Sequence, residues 1–73
     1  MEKTITKSQD YARLERVTDR AVEVLGDQKL AVEWLDKYSA SLGSRPRELA
    51  QSSTDGMNRV LFHLQGIERS RRD

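Results

Sequence analysis

The stretch Gly26-Asp27-Gln28-Lys29-Leu30-Ala31-Val32-Glu33-Trp34-Leu35 decides the fold. Gly26 ends one amphipathic run in a conformation that other residues adopt only at a cost. Asp27 is placed to cap the next helix, where its carboxylate meets free N–H groups and a favourable dipole. Ala31, Trp34 and Leu35 then fall on one face of that helix. Trp34 is the single tryptophan of the chain. As the largest apolar body available it is the first candidate for the centre of a small helical core.

Upstream, Leu14, Val17, Ala21, Val24 and Leu25 repeat at the helical period. The charged residues between them, Arg13, Glu15, Arg16, Asp19, Arg20 and Glu23, are expected to face water. Thr6-Lys7-Ser8-Gln9 fits a capping box, so helix 1 is expected over 7–25 behind a loose tail at 1–5. Helix 2 is expected over 28–38, with Tyr38 the last candidate for its inward face and Leu30 off that face. Only Gly26 and Asp27 separate the two helices, which predicts a tight helical corner.

Downstream, Ser39 to Ser44 reads as a loop whose one large apolar residue, Leu42, plugs the core. Pro46 suits a first helical position because its missing N–H has no partner there anyway. Helix 3 is expected over 46–51 with Leu49 and Ala50 inward. Ser52-Ser53-Thr54-Asp55-Gly56 is a break rich in capping residues. Met57, Val60, Leu61, Leu64 and Ile67 then mark helix 4 over 55–69. Phe62 lies off that stripe. Gly66 falls inside the helix, where glycine costs roughly 1 kcal/mol relative to alanine unless another backbone comes close. The fold class is thus all-α, a small orthogonal bundle of four helices. The expected core is Leu14, Val17, Ala21, Val24, Ala31, Trp34, Leu35, Leu42, Leu49, Val60, Leu61, Leu64 and Ile67.

Composition excludes several functions. At 73 residues the chain is one domain at most. It has no cysteine and one histidine, His63, so neither a disulfide nor a zinc site is expected. A net charge of +1 with interleaved signs is not the profile of a dedicated nucleic-acid binder. No apolar run would span a membrane and no signal peptide opens the chain, so a soluble cytoplasmic protein is expected. Glycine-rich phosphate loops are absent, and no serine has a base in reach by spacing. Glu33 and Asp36 form an open carboxylate pair without a water-excluding pocket. An enzyme is not expected, and neither is a cofactor. Arg69, Arg71 and Arg72 cluster at the end, either as a solvated tail suited to a helix C-terminus or as a contact surface.

Four blocks in order carry a resemblance. They are Ala21-Val22-Glu23-Val24-Leu25-Gly26-Asp27, Lys29 to Leu35 with its alanine-x-x-tryptophan-leucine, Leu42-Gly43-Ser44-Arg45-Pro46-Arg47-Glu48-Leu49, and Gly56 to Glu68 with its spaced glycine, valine, leucine, isoleucine and glutamate. Residues 21–69 on this basis resemble the toxin-binding domain of the Xre/MbcA/ParS antitoxin family, with 70–73 as a basic tail. The resemblance implies a bacterial antitoxin that neutralises a RES-domain toxin acting on NAD, by degrading it or by transferring ADP-ribose. It implies that helix 4 and the tail lie over the toxin's substrate entrance. Phe62, His63 and Gly66 would form the packed contact. Arg69, Arg71 and Arg72 would pair with toxin carboxylates or take the place of the NAD pyrophosphate. Where the family often has a glycine beyond its terminal glutamate, this chain has Ser70 after Arg69.

Family members usually carry an N-terminal helix-turn-helix region. Residues 1–20 leave room for a tail and the start of helix 1 only, so DNA binding by this chain alone is not expected. Two other readings stay open: a helical DNA-binding or transcription-associated module, and a homo-oligomer built on exposed Val22, Leu30 and Phe62.

Overall fold

The computed structural model describes the backbone of residues 2–72 and the side chains of residues 10–71. Four α-helices follow one another: α1 (Glu2–Leu25), α2 (Gln28–Asp36), α3 (Pro46–Ser52) and α4 (Thr54–Arg72). Among the described residues there is no strand, only an isolated bridge between Ser39 and Ser44. The chain is a small all-α bundle in which α1 packs on α2, α3 and α4.

The α1–α2 corner forms as its residues dictate. Gly26 has φ 78° and its N–H donates to the Val22 carbonyl at 2.7 Å, closing α1 with a left-handed residue. Asp27 is the N-cap of α2, its carboxylate accepting from the Lys29 N–H at 3.3 Å. Pro46 occupies the start of α3, as expected, and is fully buried there. Ser53 caps α4, its hydroxyl accepting from the Gly56 N–H at 2.9 Å.

The buried core is Val17, Ala21, Val24, Ala31, Leu35, Ala50, Val60 and Leu64. Leu14, Trp34, Leu42, Leu49, Met57, Leu61 and Ile67 pack against it and stay partly exposed. Every residue expected in the core is thus in it or against it.

Several expectations need correction. The centre of the core is aliphatic, not aromatic: Leu35, Leu64, Val17 and Val60 are its largest fully buried side chains apart from Pro46. Ala21, Ala31 and Ala50 let the helices approach closely, which leaves too little depth for an indole, and Trp34 sits at the margin.

Helix α1 does not begin at the Thr6 capping box but already runs from Glu2. No glycine or proline interrupts residues 2–25. The helix penalty of Thr6 and Ser8 is only about 0.5 kcal/mol each, too little to stop it. The part of the expected loose tail that falls on Met1 lies outside the described residues.

Helix α2 ends at Asp36, short of Tyr38. Lys37 turns extended, with φ −93° and ψ 134°, and Tyr38 is left exposed. The Ser39–Ser44 bridge, with Gly43 at φ 72°, then folds the loop back toward α3. Val22, expected to be exposed, packs against the core.

Candidate interaction surface

Helix α4 is held at both ends and bare along its outer face. At its start Gly56 is buried against α3. A Cβ there would overlap the Leu49 carbonyl oxygen and come within 3.0 Å of its carbon and 3.1 Å of the Ser52 hydroxyl. Only a residue without a side chain lets the two helices meet this closely. Toward its end, Glu68 accepts from Arg20 of α1 at 2.6 Å, and the same guanidinium reaches Glu23 at 2.9 Å. The bonds to Glu23 and the charge of Glu68 raise the Arg20 pKa above its ordinary value. Arg71 donates to the Val24 carbonyl at 2.8 Å. That carbonyl belongs to the last turn of α1, where it lacks a helical partner and the dipole favours a cation.

A matching clamp closes α3. Arg13 donates from Nε to the Ala50 carbonyl at 3.1 Å and from Nη2 to the Gln51 carbonyl at 2.8 Å. Its side chain is only 17% exposed and is paired with Asp10. Arg13 and Arg20 were expected to face water; both instead tie α1 to its neighbours. Helical period alone assigns a residue to a face, and a long guanidinium at the edge of that face reaches back over the core. Arg47 similarly pairs with Asp36 at 2.6 Å, linking α3 to the end of α2.

Between these anchors the inner stripe of α4 buries Val60 and Leu64, and the outer stripe is open. Asn58, Phe62, Gln65, Gly66 and Arg69 are all exposed, Phe62 to 76%. Phe62 borders three open surface grooves. One, of about 590 Å³, runs between α1 and α4 past Arg20 and Glu68. A second, of about 630 Å³, lies against Ser41 and Leu42 of the loop. The third, about 100 Å³, is formed with Gln65, Gly66 and Arg69. Phe62 is therefore a projecting ring with depressions around it, suited to insertion into a partner surface.

His63 stacks on Trp34, with ring centroids 6.0 Å apart and an interplanar angle of 21°. His63 thereby covers part of the indole. At Gly66 nothing beyond the adjoining turns of α4 lies within 4 Å of the position a Cβ would take, so its open backbone faces solvent and not another helix.

The six residues expected to touch a partner thus separate. Phe62, Gly66 and Arg69 share one open strip. His63 is partly buried against Trp34 beside it. Arg71 is engaged at the end of α1, and the Arg72 side chain lies outside the described residues. Arg69 and Arg71 thus do not share one site.

Among the described residues no group of three or more His, Asp or Glu could hold a metal ion. No described helix is long and apolar enough to cross a membrane.

No known family, curated protein or solved structure matches the chain. The reading of its function rests on the strip itself and on the motif blocks.

Proposed function

We propose that the chain is an antitoxin that binds a RES-type toxin, one that consumes NAD or transfers ADP-ribose, and covers its active-site entrance. The observation that carries this reading is Phe62, an aromatic ring 76% exposed beside Gly66 and Arg69, on the helix whose sequence resembles the family's last block. Burying a phenylalanine side chain contributes about 1.5–3 kcal/mol, which makes so exposed a ring a natural anchor. Gly66 lets a partner approach the helix backbone. Arg69 offers a planar fork to a carboxylate or a pyrophosphate. His63 braces the strip from beneath through Trp34. Arg71 serves by fixing the end of α4 on α1, not by reaching the toxin.

Occlusion requires no reactive group on the blocking protein, and the reading assigns this chain no catalytic role and no cofactor. The motif blocks supply support of a second kind. Gly26 and Gly43 sit where the chain turns, Pro46 starts α3, Gly56 lets α4 meet α3 and Trp34 stacks on His63, so the resemblance falls on residues that shape the surface as well as on the surface.

The test is to mix the chain with the RES-type toxin of its neighbouring reading frame and follow NAD. Suppressed NAD loss at a stoichiometric ratio supports the reading. Undiminished loss at excess antitoxin, or a neighbouring frame of unrelated type, counts against it.

A further inference from the structure

Asp55, Phe62 and Arg69 stand one heptad apart on α4. Seven residues at about 100° each return to within about 20° of the starting direction, so the three lie along one line of the helix. Asn58, Gln65 and Gly66 flank that line, and all six residues are exposed. The line carries an acid near the start of α4, an aromatic ring at its middle and a base near its end. Among the described residues, neither Asp55 nor Arg69 has an intramolecular ion-pair partner, whereas Arg13, Arg20, Arg45 and Arg47 each have one.

This pattern complements itself in one orientation. An antiparallel second α4, laid with its Phe62 against Phe62, brings Asp55 opposite the partner's Arg69 and Arg69 opposite the partner's Asp55. Asn58 falls beside the partner's Gln65, one heptad away in register, so two neutral amides meet on that flank. Arg59 falls beside the partner's Gly66, whose open backbone gives the side chain room, so no like charges meet. A parallel arrangement would set Asp55 on Asp55 and Arg69 on Arg69, which repel. The antiparallel arrangement is isologous and closes after two copies.

From this we infer that the outer strip of α4 pairs with a second copy of the chain, in a two-fold antiparallel dimer with Phe62 on the axis. The inference is independent of the antitoxin reading. If both hold, dimer and toxin complex compete for one strip, and the dimer is a reserve from which the toxin draws monomers.

The experiment is sedimentation equilibrium of the full chain without toxin, from about 10 μM to about 1 mM, a range that reaches weak association. A monomer–dimer equilibrium that weakens with added salt is expected. Asp55→Arg and Arg69→Asp each set like charges face to face and should raise the dimer dissociation constant about tenfold or more. The double variant restores both pairs with inverted sign and should return to within about threefold of the parent. Circular dichroism confirms that each variant is folded. A monomer at every concentration, an open-ended assembly, or a double variant no tighter than the singles overturns the dimer. None of these results touches NAD protection, which is measured separately.

Discussion

Helix α4 contains two glycines that look alike in the sequence and do opposite things. Gly56 is buried where α4 presses on α3, and any side chain would strike the Leu49 carbonyl. Gly66 stands in open space on the outer face. The first makes the fold possible. The second only weakens its helix, unless something outside the chain uses the bare backbone. The same division runs along the helix: its inner residues and end clamps are engaged, and no described residue packs on its outer strip. On the proposed reading, that bare backbone is where a partner would come close.

The largest expected effect sharpens this contrast. Gly56→Ala should destabilise the chain by about 3 kcal/mol or more, because the methyl overlaps backbone that cannot move aside. For a domain this small that is enough to abolish most of the cooperative urea transition. A variant unfolding at the parent's urea midpoint would show that the α3–α4 contact is not tight.

Next comes the clamp at the end of α3. Arg13→Ala should cost about 2 kcal/mol, since two carbonyl groups lose a charged donor in a mostly covered place. Arg13→Lys should recover only part of it, because an ammonium does not span both carbonyls as the fork does. Equal stability of Lys and Arg variants in urea melts would contradict the bidentate role.

Gly66→Ala has the opposite sign. With ordinary helical backbone and no neighbour, it should stabilise by up to about 1 kcal/mol, seen as a raised Tm. A lowered Tm would mean that the outer face is packed. If the strip serves a partner, the same methyl should weaken toxin binding while it strengthens the fold.

What the sequence discloses and what it hides follows the same line. Periodicity found the helices and the buried stripe, because burial of Val17, Ala21, Leu35, Val60 and Leu64 is a property of local spacing. Gly26, Asp27 and Pro46 were legible because caps act within a few residues. The beginning of α1 was not, since the Thr6 capping signal is weaker than the continuity of a run without glycine or proline. Arg13 and Arg71 were hidden for another reason. Each satisfies a carbonyl far away in the chain, Ala50 for one and Val24 for the other, and only the folded topology brings them there. The marginal seat of Trp34 likewise depends on how closely three alanines let the helices approach. Gly56 did carry a signal: a glycine in the first turn of a well-capped helix is a poor helix former kept where a side chain has no room.

The strip itself was legible in part. Phe62 off the stripe and Gly66 inside the helix were visible as anomalies. That Arg69 joins them while Arg71 turns back to α1 was not, because the sequence shows three arginines and not the acceptors that claim them.

The most direct measurement is a pair of readings on Phe62→Glu: its urea midpoint, and its protection of NAD against a RES-type toxin, the partner proposed above. An exposed substitution should leave stability within about 0.5 kcal/mol of the parent. Expected is an unchanged midpoint together with NAD consumption restored at antitoxin ratios that silence it with the parent chain. A fully folded Phe62→Glu chain that still protects NAD at the parent's ratio would contradict the assignment of this strip as the toxin-binding surface.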